Sequence, residues 1–326
     1  MLNTILSALL PMVVTFLLGF VAAWRHDFAT KDATILNRMV LVYAVPLALF
    51  AGTVSTPRAE LSQDIPLVIA LCIAIMGLYA ATFLLSRFAF RARVGISALA
   101  ALMASAPAVP FVGPAVLGDL FGRLSAIPIA IGSLVINLTV VPVTILLLTL
   151  DTPGEDTQAK NPATHDGGHS APSHLSILAA KLGETVKEPL VWAPVLAFVV
   201  VLTGARVPQV IVHSLSMLGY ASGGVALFAS GIVLASGKIK VSVPVLFLVF
   251  LKNLVQPVLV LGGLRWLGYS NPILKEAVLT VAIPAMPIVT MLALQYHVAQ
   301  DEASSAVFLS VISSVVTMGI FIALTS

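Results

Sequence analysis

This chain is poor in charge. Only 10% of its 326 residues are Asp, Glu, Lys or Arg, against about 25% in an ordinary soluble domain, while 59% are apolar. The mean hydropathy is +1.06. One cysteine, Cys72, lies inside an apolar run, which excludes a disulfide framework and a thiolate metal cluster. No apolar run carries an Asp or Glu at its middle, since Asp119 and Glu276 fall near run ends. A carboxylate relay of the kind many cation-driven pumps use is therefore not evident. Also missing are a Gly-x-x-x-x-Gly-Lys-Ser/Thr loop, a His-Glu-x-x-His pair and a nucleophile elbow. ATP drive and hydrolysis find no support, and neither an enzyme activity nor a cofactor or metal is expected. Met1–Trp24 lacks the basic start and small-residue cleavage site of a signal peptide and reads as a first membrane span.

What the chain does have is hydrophobic length. Runs of about 20 apolar residues suffice to cross a bilayer. They are expected near Leu2–Trp24, Ala33–Thr53, Ile65–Ser86, Gly95–Gly118, Ser125–Leu150, Glu188–Gly204, Val210–Ser236, Val241–Leu267, Ile273–Tyr296 and Ala303–Thr325. The fold class is an all-α polytopic membrane protein with ten spans. The one long polar stretch, Asp151–Lys187, cannot bury a core and reads as a linker between residues 1–150 and 188–326. His165, His169 and His174 within it fit a solvated linker better than a metal site.

Orientation follows from the basic residues. Odd-numbered loops hold Arg25, Lys31, Arg87, Arg91, Arg93, Lys160, Lys181, Lys187, Lys238 and Lys240. Even-numbered loops hold Arg58, Arg123, Arg206, Arg265 and Lys275. This bias puts the odd loops and the linker in the cytoplasm and both termini outside.

The two halves echo one another. Pro107-Ala-Val-Pro110 and Pro284-Ala-Met-Pro287 lie 177 positions apart; Ala48-Leu-Phe-Ala51 and Ala226-Leu-Phe-Ala229, like Pro66 and Pro244, lie 178 apart. Five spans per half force the second half to enter from the opposite side, so the repeats are inverted. Each proline doublet sits mid-span, where it removes two donors and clashes with the preceding turn. Broken helices survive in hydrocarbon only inside protein or beside a polar cavity. Spans four and nine are thus expected to cross near the midplane. The half-helices that follow each break would aim partly positive N-termini into the crossing, a setting for a small anion.

Several residues could take part there. Pro107, Pro110, Pro284 and Pro287 expose backbone, and Gly113 permits either a close ligand or close helix packing. Asn137, mid-span in the fifth segment, can donate to a carboxylate or bond between helices. Span eight holds Lys252, Asn253 and Gln256. Lys252 is too deep to snorkel, so it either neutralises an anion, stands in for a coupling cation, or satisfies carbonyls freed by the breaks.

The chain resembles the auxin efflux carrier family of secondary transporters, and within it the bacterial malonate carriers. The likeness is carried by Leu36-Asn-Arg-Met and Val45-Pro46, Phe111-Val-Gly113-Pro114, Gly224-Val-Ala-Leu-Phe-Ala-Ser-Gly231, Lys252-Asn-Leu-Val-Gln-Pro257 and Leu294-Gln-Tyr-His-Val298. It implies a scaffold of spans one, two, six and seven and a transport domain of spans three to five and eight to ten. It further implies crossed spans four and nine as in bile-acid symporters and sodium/proton antiporters, with elevator-like transport of organic anions. Family members often carry an Asn at the span-four crossover; here the segment reads Ser105-Ala-Pro-Ala-Val-Pro110, leaving Ser105, backbone amides or Lys252 to take that role.

The expected function is secondary transport of malonate or a similar carboxylate across a bacterial inner membrane, coupled if at all to H+ or Na+. The alternatives are an auxin-like monocarboxylate carrier and a passive anion channel. Expected partners are a small carboxylate, the lipid bilayer and a second copy in a homodimer; nucleic acid is not among them.

Overall fold

The structure is a computed structural model that describes residues 2–55, 65–151, 187, 189–205, 207–237 and 239–325. Between its two ends, the expected linker 151–187 lies outside the described residues. The described chain is helical: α1 (Leu2–Trp24), α2 (Thr30–Val54), α3 (Ile65–Ala89), α4 (Val94–Ser105), α5 (Val109–Phe121) and α6 (Ile127–Asp151) form the first half. The second half is α7 (Pro189–Thr203), α8 (Gln209–Ser236), α9 (Val243–Trp266), α10 (Ile273–Ala282), α11 (Ile288–Gln295) and α12 (Gln300–Leu324). Among the described residues there is no β-strand beyond one isolated bridge.

Six of these helices, α2, α3, α6, α8, α9 and α12, are long and apolar enough to cross a membrane. Leu10–Trp24 of α1, α4 and α7 are shorter apolar helices. The expected fourth and ninth spans are each two half-helices, α4 with α5 and α10 with α11.

Proline decides where those two spans stop. The residue before a proline is pushed out of the helical region toward extended backbone. Ala106, before Pro107, has φ −94° and ψ 105°. Ile283, before Pro284, has φ −56° and ψ 138°. The second proline of each doublet then begins the next half-helix, where a missing N–H costs nothing. Pro110 lies in the first turn of α5 and Pro287 is the N-cap of α11.

Two packing groups surround the breaks. α8 runs along α1 and α2, and α7 along α2. α1 and α8 approach backbone to backbone: a Cβ on Gly19 would run into the Phe228 carbonyl, and one on Gly231 into the Phe16 carbonyl. The other group packs α4 against α3 and α6, α10 against α9, and α12 against α9 and α11. The groups touch where Phe111 of α5 lies over Gly223 of α8 and where the Phe16 and Phe308 rings meet at 4.9 Å.

Long helices are interrupted by π-turns, at 40–44 in α2, 73–77 and 85–89 in α3, 136–140 in α6 and 251–255 in α9. A π-turn inserts one residue into the i→i−4 ladder and recurs at functional sites. α3 and α9 start 178 positions apart, and their turns 73–77 and 251–255 keep that offset.

Candidate functional site

The breaks meet one another. Pro107 and Ala285 form an antiparallel bridge, with Ala108 N–H donating to the Pro284 carbonyl at 2.8 Å and Met286 N–H to the Ala106 carbonyl at 3.1 Å. Each bond is the image of the other under the 178-residue shift. This short ladder is the backbone's substitute for helical bonds that proline forbids.

Among the carbonyls it leaves over are those of Ser105 and Val281. In an unbroken helix Ser105 would accept from residue 109 and Val281 from residue 285. One turn of α9 supplies both missing donors. Gln256 Nε2 donates to the Ser105 carbonyl at 2.8 Å and to the Ala74 carbonyl at 3.3 Å. Lys252 Nζ donates to the Val281 carbonyl at 2.6 Å and to Gln256 Oε1 at 2.9 Å. Lys252 is wholly buried, at 0% exposure. Of the roles open to it in the sequence, satisfying a freed carbonyl is realised. It uses two of three ammonium donors there, and the third has no protein partner among the described residues.

The freed donor is held as well. Ala285 N–H donates to Ser310 Oγ at 2.9 Å. Ser310 Oγ in turn donates to Asn253 Oδ1 at 2.8 Å, and Asn253 Nδ2 donates to the Ser310 carbonyl and to Ser313 Oγ, each at 2.8 Å. Lys252, Asn253 and Gln256 are therefore brought together around both breaks, as are Pro107, Pro110, Pro284 and Pro287.

Three other candidates stand apart from that network. Ser105 Oγ donates to the Ala101 carbonyl of its own helix at 2.7 Å, so it is the Ser105 carbonyl, not the hydroxyl, that joins the site. Gly113 is buried against Ile129 of α6 and Val109; a Cβ there would lie 3.2 Å from each, so its close approach is to side chains. Asn137 is 2% exposed in the π-turn of α6, with Oδ1 unpartnered among the described residues. That turn packs against the 73–77 turn of α3, which also supplies the Ala74 carbonyl held by Gln256. Asn137 is thus linked to the breaks through one intervening turn.

Sequence reasoning missed Ser310 and Ser313. The available signal was five serines, Ser304, Ser305, Ser310, Ser313 and Ser314, in a span otherwise apolar. It also missed Asn37 of α2, whose Nδ2 donates to the Met291 carbonyl of α11 at 2.9 Å and ties the two packing groups together.

Chemically, the arrangement offers two half-helix N-termini side by side and a buried ammonium. Neither α5 nor α11 has a side-chain N-cap bond, so their first-turn dipoles are not answered by a protein side chain. A small anion matches that set of groups.

Comparison with known proteins agrees with a transport role. A family profile described as "Membrane transport protein" matches residues 4–322. The Escherichia coli K12 protein named "Uncharacterized transporter YfdV" is 30% identical over 325 residues, covering 99% of this chain and 98% of the relative. A Rhizobium meliloti (strain 1021) protein named "Putative malonate transporter" is 22% identical over 317 residues, covering 96% of this chain and 93% of that protein. With a family match over nearly its whole length and several apolar helices of spanning length, the chain belongs to the membrane transport protein family, the auxin efflux carrier-like group of multi-pass transporters.

Proposed function

We propose that this protein is a secondary active transporter of small organic anions, with malonate or a similar carboxylate as substrate. The observation that carries the reading is the paired break, bridged backbone to backbone and fitted with one buried ammonium. Matched broken helices in two half-chains are the pattern by which secondary transporters build a midplane site. The carboxylate sits at the N-termini of α5 and α11, with Lys252 as countercharge and Asn137 as a further ligand. Malonate is favoured by the Rhizobium meliloti relative's name.

The architecture that goes with this reading has ten spans in two inverted five-helix repeats, with spans four and nine crossed. The common offset of 178 in the bridge, in the starts of α3 and α9 and in their π-turns supports it. The group α1, α2, α7 and α8 acts as scaffold and the rest moves against it as an elevator. Phe111 over Gly223 suits a sliding contact, because small residues let helices pass closely.

Counterflow decides the matter. Proteoliposomes loaded with unlabelled malonate are expected to accumulate labelled malonate faster than empty ones. Flux without trans-stimulation, together with large single-channel currents, would replace the carrier by an anion channel.

A further inference from the structure

A cavity of about 500 Å³ opens between α3, α4, α9 and the start of α12. Its wall is apolar and includes Leu85, Ile96, Leu99, Met103, Phe247 and Leu248. Among the described residues, none of the lining comes from α1, α2, α7 or α8, and the inner end is lined by Met103 in the last turn of α4 and Val289 in the first turn of α11.

The rim carries the opposite chemistry. The lining residues Ser86, Phe90 and Ala92 belong to the segment that holds Arg87 and Arg91. Arg87 donates to the Ala92 carbonyl at 3.3 Å, and among the described residues neither arginine has a carboxylate partner. The acid on the lining, Glu302, is already bonded to Lys240 at 2.8 Å, which holds the Lys240 ammonium above its ordinary pKa. Arg93 reaches Asp151 only at 3.8 Å. Deeper in the wall, Thr82 is 4% exposed and its hydroxyl has no partner among the described residues. Thr82 and Ser86 stand one helical turn apart on α3 and both line the cavity.

We infer that this cavity binds an anionic glycerophospholipid of the adjoining leaflet. An acyl chain fills the apolar wall, the Thr82 and Ser86 hydroxyls donate to ester carbonyls, and the headgroup phosphate lies on Arg87 and Arg91. The volume is in the range of about 300–1,000 Å³ typical of small-molecule sites. By the count of basic loops this end faces the cytoplasm, where basic pockets between helices take up anionic headgroups.

The test uses the purified full chain, stripped of lipid in detergent and titrated in native mass spectrometry. Phosphatidylglycerol and phosphatidylcholine of identical chains are the probes. Phosphatidylglycerol is expected to be retained at least several-fold more than phosphatidylcholine. Arg87→Ala with Arg91→Ala should abolish that preference, and Ala100→Phe, which fills the cavity, should lower retention of both lipids. Thermal unfolding of each variant identifies any that fails to fold, and the exposed arginine pair is expected to leave it unchanged. Equal retention of the two lipids, or a preference untouched in the folded arginine variant, overturns the proposal. So does retention of a free fatty acid as strong as that of phosphatidylglycerol.

Discussion

At the first break the orphaned Ser105 carbonyl is held by an uncharged amide, Gln256 Nε2, whereas at the second the Val281 carbonyl is held by an ammonium, Lys252 Nζ. The donors differ as well. Position 107 is a proline and has no N–H to satisfy, while its counterpart Ala285 has one and needs Ser310 Oγ. Two halves related by one sequence offset thus meet the same backbone problem with unequal chemistry. Positive charge and most of the side-chain hydrogen bonds gather on the second break, and α9 supplies the capping side chains for both. A site built this way can present its anion with a sided field even though the backbone around it is nearly symmetric.

Replacing the charge should have the largest effect. Lys252→Met leaves the Val281 carbonyl and Gln256 Oε1 without their donor, and a hydrogen bond from a charged group is worth about 1.5–3 kcal/mol. We expect a lower unfolding temperature and carboxylate affinity reduced roughly tenfold or more, since about 1.4 kcal/mol corresponds to that factor. Carboxylate binding is read by ligand-induced thermal shift, which rises with binding to the folded form. A variant that is less stable yet binds carboxylate as well as the parent would make Lys252 a backbone cap and nothing more. Gln256→Leu removes the donor to the Ser105 carbonyl and also an acceptor of Lys252, and should cost about 1–2 kcal/mol. Its effect on affinity should be smaller than that of Lys252→Met. Equal losses would erase the electrostatic difference between the breaks.

A third experiment turns the second break into a copy of the first. Ser310→Ala removes the acceptor for Ala285 N–H and should destabilise by about 1 kcal/mol, the upper part of the range for hydrogen bonds between membrane helices. Ala285→Pro removes the donor instead and recreates the residue present at position 107. In that background Ser310→Ala should cost less than it does alone, because only its bond to Asn253 remains to be lost. A double-mutant cycle in thermal unfolding measures the difference. Strictly additive losses would mean that Ser310 does not act through Ala285.

Proline alone did not make the breaks legible, since Val45 before Pro46 and Gln256 before Pro257 stay helical. The doublets did, because Pro107/Pro110 and Pro284/Pro287 each remove two donors mid-span and echo one another at a fixed offset. Six of the ten expected spans were equally plain, being single helices long and apolar enough to cross a membrane. What could not be read was partnership. Lys252 pairs with Val281 across 29 positions and Gln256 with Ser105 across 151. Nothing local marks which carbonyl a buried donor will reach. Ser310 was hidden for a related reason: a serine in a helix usually bonds its own i−4 carbonyl, as Ser105 does to Ala101, and carries no signature when it bonds elsewhere instead. Gly113, open in the sequence to either a close ligand or close packing, lies against the side chains of Ile129 and Val109.

The smallest expected effect lies outside the network, at the π-turn of α6, and it tests whether the site extends past the breaks. Asn137 and Thr139 share that turn but differ in what they have left to offer. The Thr139 hydroxyl already donates to the Val135 carbonyl within its own helix, whereas Asn137 Oδ1 is buried without a partner among the described residues. That oxygen can only accept and cannot answer an ionised carboxylate, whereas the amide Nδ2 of the same side chain can donate to one. Asn137→Ala should therefore weaken carboxylate binding by a few-fold while leaving stability unchanged or slightly raised, and Thr139→Ala should do neither. Superimposable binding curves for the two variants would confine recognition to α9 and the half-helix N-termini. In that event the asymmetry between the two breaks would be the whole basis of anion selection, with no contribution from α6.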